Sequence, residues 1–171
     1  METKEIISTM LKNGATMFKD VTVKNVTLGN YQNSEQHRLS LTLDKEVDGM
    51  VANGADADGV VTYTQGKTNV VFTSVYSIGA VLKDDEDAAF AVNTLTDSPK
   101  GYQVVLSRAK VDIICEKVKG GTDYKNPWSS RVDANVTHFD HDTILFHVVN
   151  IKLSDRARML LDRMAMQMLG L

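Results

Sequence analysis

The chain has 171 residues, 43% of them hydrophobic and 24% charged, the balance of one ordinary soluble globular domain rather than a disordered or fibrous chain. Its formal net charge of −3 argues against a protein that coats duplex nucleic acid by bulk charge, while leaving room for a local basic groove. Cys115 is the sole cysteine, which excludes an internal disulfide and points to a reducing, cytoplasmic setting; no run of about 18 apolar residues offers a membrane span, and METKEIISTMLKNG lacks the apolar centre of a signal peptide.

Residues 2–12 predict a short amphipathic helix with Ile6, Ile7, Met10 and Leu11 on one face, ended by Asn13-Gly14. From Phe18 the period falls to two. Val21 and Val23 share a phase, and Val26 and Leu28 continue one residue out of step. The slip at Lys24-Asn25 predicts a β-bulge or sharp bend, a feature that small closed barrels need. After the polar link GNYQNSEQ, Leu39, Leu41 and Leu43 alternate with Ser40 and Thr42 as a half-buried strand.

Residues 44–59 read as an irregular surface loop. Asp56 and Asp58 before Gly59 resemble the start of a calcium loop, but Val60, Val61 and Tyr63 occupy the positions where later oxygen ligands belong. Strands over 60–64 and 69–74 are expected next, joined by Gln65-Gly66-Lys67. Then Val75, Ile78, Val81 and Leu82, followed by Ala88, Ala89, Val92 and Leu95, predict a helical insert over about 75–97. The acidic run Asp84 to Asp87 suits the N-terminus of the second helical stretch, where carboxylates meet free amides and the positive end of the dipole.

The stretch GYQVVLSRAKVDIICEKVKGGTDYKNPWSS reads as two strands and a turn, released by Gly120-Gly121 into a loop over 120–142. Cys115 within VDIIC reads as a small buried hydrophobe. A last strand is expected over 144–153. Ser154 is a good N-cap for a closing helix over 155–169, whose Met159, Leu160, Met164 and Met168 suit core or partner packing. The fold class that follows is β-rich α+β in one domain over 1–171: a small barrel or sandwich over about 17–153, with a helical insert, a short N-terminal helix and a C-terminal helix.

Catalytic signatures are missing. The chain contains no G-x-S-x-G elbow, no Walker A loop and no G-x-G-x-x-G. His138, Asp140, His141 and Asp142, with His147 further on, form the one suspicious cluster. Its loop character favours hydrogen-bonded histidines over metal ligands. The expectation is a non-catalytic protein with no metal or organic cofactor.

Charge and aromatic placement say more. Between Lys100 and Arg131 seven basic residues stand against three acidic ones. Single-stranded nucleic acid is held by bases stacked on rings and by phosphates meeting Lys or Arg, with about 1–3 kcal/mol per stacked base. The candidate phosphate contacts are Arg38, Lys67, Arg108, Lys110, Lys119 and Lys125. The candidate rings are Tyr31, Tyr63, Tyr102, Tyr124 and Trp128. Trp128 follows Asn126-Pro127 in a polar loop, where a large apolar ring has reason to be covered.

FKDVTVKNVTLGNYQNSEQHRLSLTLDKEVDGMV, with the later VDIICEKVKGGTDYKNPWSS, resembles the small OB-fold single-stranded DNA-binding proteins of tailed bacteriophages over about half the chain. The resemblance implies an OB-like barrel, in which a helix sits between the third and fourth strands. It also implies a non-catalytic protein that coats transient single strands in replication or recombination, in the host cytoplasm. The basic strands and the Tyr124–Trp128 loop would then lie in the binding face. The alternative expectation is a virion structural or assembly protein whose closing helix meets a second copy or a partner protein.

Overall fold

A computed structural model describes residues 2–29, 38–86, 88–89, 100–128, 136–168 and 170. The described elements, in chain order, are α1 (Thr3–Lys12), β1 (Thr16–Gly29), β2 (Arg38–Ala55), β3 (Val61–Ser74), α2 (Val75–Leu82), α3 (Lys100–Leu106), β4 (Lys110–Val118), β5 (Thr122–Lys125), β6 (Val136–Phe139), β7 (Thr143–Lys152) and α4 (Asp155–Met168). Five strands form an antiparallel sheet in the order β3-β2-β1-β4-β7, and β5 and β6 make a separate two-stranded ribbon. The run β3-β2-β1-β4 is a Greek key: three strands in succession, and a fourth that returns beside the first. The chain is therefore β-rich with short helices, and among the described residues no helix is long and apolar enough to cross a membrane.

The expected phase slip is present. Val23 pairs with Leu43 and Asn25 with Thr42, which leaves Lys24 as the extra residue of a bulge. Val21, Val23 and Val26 are all buried, so the bulge keeps the apolar side of β1 inward across the change of phase. Opposite them, Leu39, Leu41 and Leu43 are at most 1% exposed.

Three segments depart from the sequence reading. The 44–59 stretch is not a loop: β2 runs on to Ala55, and the turn is confined to Asp56–Gly59. There the Asp56 side chain accepts the N–H groups of Asp58 and Val60, each at 2.9 Å. Nor do Gln65-Gly66-Lys67 break the next strand, since β3 is continuous from Val61 to Ser74. Gly66 is there for close approach: a Cβ at that position would lie 2.9 Å from Val51 Cγ2 on β2. Third, 100–106 is a helix and not the first strand of a hairpin. Burial at Val105 and Leu106 together, with Gln103 exposed, suits a helical face. Two alternating residues, Val104 and Leu106, were too few to tell the periods apart.

The described chain separates into two compact units. One holds 1–18, 46–68 and 114–146; its core includes Ile6, Met10, Val47, Ile114, Cys115 and Ile144. Here Gln65 Nε2 of β3 donates to the Thr143 carbonyl of β7 at 3.3 Å. Outer strands of a flat five-stranded sheet would stand roughly 19 Å apart, four spacings of about 4.8 Å. The sheet is therefore curled in this unit. The other unit holds 19–45, 69–113 and 147–171, cored by Val21, Leu39, Leu41, Ile78, Leu106, Ile113 and Leu161.

Helix ends follow local chemistry. Asn13 and Gly14 close α1, Gly14 at φ 96°. Ser74 Oγ accepts the Ser77 N–H at the start of α2. Asp85 Oδ1 accepts the Ala88 N–H, as the acidic run led one to expect. The same carboxylate takes both terminal nitrogens of Arg158 on α4, at 3.1 and 2.6 Å, a bidentate pair. Ser154 caps α4 through the Ala157 N–H at 3.1 Å.

Cys115 is 1% exposed. Burial, reinforced by the nearby Asp48 carboxylate, pushes its thiol up to about 12. A thiolate is the reactive form, so at pH 8 an aromatic disulfide reagent should label the folded protein no faster than it unfolds. In denaturant one equivalent should react at once. Rapid labelling of the native protein would contradict this burial.

Candidate functional site

The residues singled out by charge and ring type fall into both units. In the unit built on 19–45, 69–113 and 147–171, Arg38 opens β2 and is exposed. Tyr102 is half-buried on α3, so it lies on a helix and not on a strand. Arg108 and Lys110 are exposed where α3 passes into β4. The path there is fixed by backbone bonds, with the Arg108 N–H donating to the Val23 carbonyl and the Val23 N–H to the Ala109 carbonyl, both at 2.9 Å. Arg108 itself sits at φ 59°, a left-handed conformation that costs a side-chain-bearing residue about 1–2 kcal/mol.

In the unit built on 1–18, 46–68 and 114–146, Tyr63 stands on β3 at 59% exposure. Its neighbours Val60 and Val61 are also exposed, as is Val51 on β2. Lys67 is engaged rather than idle. Its ammonium bonds Asp48 of β2 and lies 5.5 Å from the centroid of the Phe18 ring. The Lys67 hydrogen bond is the chief reason that the Asp48 carboxyl is held below its usual range, with Thr16 and Lys117 adding to it and burial opposing it.

Lys119 ends the β4 region and Lys125 ends β5; both are exposed. Tyr124 is half-buried. Its hydroxyl donates to Glu116 Oε1 at 2.6 Å, and its ring meets Phe139 edge-on at 6.2 Å between centroids. Burial first, and then Glu116, drive the phenol well above its usual range. Trp128 is half-buried as well, and its backbone N–H donates to Asn126 Oδ1 at 2.9 Å in a tight polar turn. Tyr31, His37, Arg131 and positions 87 and 90–97 of the insert lie outside the described residues.

The loop expected over 120–142 contains order that the sequence did not announce. Thr122–Lys125 pairs antiparallel with Val136–Phe139, with Asp123 directly opposite His138. The ribbon's open end is fixed by the Gly121 N–H to the Phe139 carbonyl at 2.7 Å and the Gly120 N–H to Asp142 Oδ1 at 2.8 Å. His138 Nδ1 is 2.7 Å from Asp123 Oδ1, and its Nε2 is 3.4 Å from Asp140 Oδ1. Among the described residues no group of three His, Cys, Asp or Glu side chains is placed to share a metal ion.

One exposed ring escaped the sequence reading. Phe72 on β3 is 58% exposed, while Val71 and Thr73 on either side are buried. In NVVFTS apolar residues occupy both strand phases, so no periodicity marked the outward one. The chain matches no known protein family, no characterised protein and no solved structure.

Proposed function

We propose that this chain is a sequence-tolerant, non-catalytic single-stranded DNA-binding protein built on an OB-type barrel, serving replication or recombination. The strand order carries the reading. An OB barrel is a five-stranded, partly open Greek-key barrel. The large sheet here has five strands, four of them in Greek-key order, curls so that β3 reaches β7, and carries α2 between its third and fourth strands. The two further strands, β5 and β6, form an insertion between the fourth and fifth. Loops in that position, with the faces of the second and third strands, are where OB barrels take oligonucleotides.

Exposed cations and rings agree with this use. Arg38, Arg108 and Lys110 are exposed in one unit. Tyr63, Lys119 and Lys125 are open in the other, with Tyr124 and Trp128 half-covered beside them in sequence. Phe72 adds a ring on the third strand. Lys67, already bonded to Asp48, contributes less than its exposure suggests.

Titration of intrinsic fluorescence with oligo-dT tests the reading. Three phosphate partners give a log–log salt slope of about −2, hence roughly 15-fold weaker binding at 200 mM than at 50 mM salt. Tyr63→Ala should weaken binding by about 1–3 kcal/mol if a base stacks on that ring. No change in emission and no gel shift at low salt would remove the proposal.

A second reading, a virion structural or assembly protein, is favoured by Met159 and Met166. They lie seven residues apart on α4, at 60% and 52% exposure. It predicts self-association or a partner protein, indifferent to oligonucleotide. Sedimentation with and without oligo-dT separates the two readings.

A further inference from the structure

We propose that His138 is a protonation-dependent clasp, closing the β5–β6 ribbon when the imidazole is cationic and easing it when neutral. The geometry favours the cation. Asp123 and His138 are direct partners across the ribbon, and the ring lies between two carboxylates, Nδ1 toward Asp123 of β5 and Nε2 toward Asp140 just beyond β6. An ionised carboxylate only accepts hydrogen bonds, so both ring nitrogens must carry a proton for both contacts to attract. A neutral ring satisfies one contact and turns a lone pair on the other.

The ribbon is where such a device can matter. It has four residue pairs, and an isolated two-stranded ribbon is marginal in water. Besides the clasp, the Tyr124–Phe139 ring contact and the Gly121 N–H to Phe139 bond hold it. Its first strand runs directly into the Asn126–Trp128 turn. The hydrogen bond from His138 to Asp123 raises the imidazole above its ordinary value of 6.5; desolvation opposes it, and the charges of Asp123 and then Asp140 add to the rise. A raised folded value means that the stabilisation is complete below 6.5 and is lost as pH rises through the folded value. The clasp therefore opens on the alkaline side of 6.5.

NMR of the full chain tests this between pH 5.5 and 8.5. The His138 ring should titrate above 6.5, and Asp123→Asn should bring its midpoint down. Hydrogen exchange of the ribbon amides, normalised to intrinsic rates, should quicken at least twofold across the same pH interval. In His138→Gln that pH dependence should vanish, and in His138→Lys protection should persist at pH 8.5. An ordinary midpoint, or ribbon exchange indifferent to the titration, overturns the clasp. The consequence for ligand rests on the single-strand reading: oligo-dT affinity should fall over the same interval in the native protein and stay level in His138→Gln. Loss of oligo-dT binding at every pH, with the exchange coupling intact, removes the nucleic-acid reading and leaves the clasp standing.

Discussion

Leu41→Ala should melt roughly 5–15 °C below the native protein. Leu41 is fully buried and faces Val26 across the β1–β2 ladder, just past the bulge at Lys24. Its neighbours on the same phase, Leu39 and Leu43, are closed off as well, so the cavity cannot refill from solvent. Truncations of this kind cost about 2–5 kcal/mol, lost transfer energy plus a cavity that relaxes only in part. In a chain of this size each kcal/mol moves the midpoint by about 2–4 °C. Glu46→Ala, on an exposed position of the same strand, should stay within about 0.5 kcal/mol of the native protein. Calorimetry or chemical denaturation measures both. Equal midpoints for the two variants would mean that the buried phase of β2 has been misassigned.

Gly120→Ala should cost about 1–3 kcal/mol, the usual range for forcing an extra carbon into a packed site. An added Cβ would meet His141 Cα and carbonyl carbon at 2.9 Å and the Asp142 nitrogen at 3.0 Å. All three are backbone atoms, so no side chain can swing aside. The segment following β4 and the segment preceding β7 would have to part, straining the Gly120 N–H bond to Asp142. Asp142→Ala, which removes only that acceptor from an exposed bond, should cost about 0.5–1.5 kcal/mol. Gly54→Ala, with no atom within 4 Å of its added carbon, serves as the silent control. Urea midpoints rank the three. A neutral Gly120→Ala would show that the approach of these backbones is looser than the contact distances require.

The two sites differ in how far neighbouring residues alone determine them. The burial of Leu39, Leu41 and Leu43, and the slip at Lys24, were plain in the sequence because strand periodicity is local: each residue's face follows from its neighbour's. The caps were plain for the same reason. Asp85 and Ser154 act within three residues of themselves, and their hydroxyl or carboxylate chemistry names the helix start. The helices at either end followed from 3.6-residue spacing, and the burial of Cys115 from its place in an apolar run.

What the tertiary structure decided concerns partners distant in sequence. Gly66 looked like a turn and is a contact, because Val51 of the neighbouring strand needs the room. Residues 100–106 read as a strand and form a helix, since burial there is set by packing against α4 and not by two alternating side chains. The pairing of Asp123 with His138 spans fifteen residues, and Lys67 meets Asp48 from nineteen away. Charge and ring content marked Lys67, Tyr63 and Tyr124 as candidates without saying which were already engaged. Periodicity is a property of one strand, whereas exposure and pairing belong to the assembled sheet, and only the sheet could separate the open ring of Tyr63 from the committed hydroxyl of Tyr124.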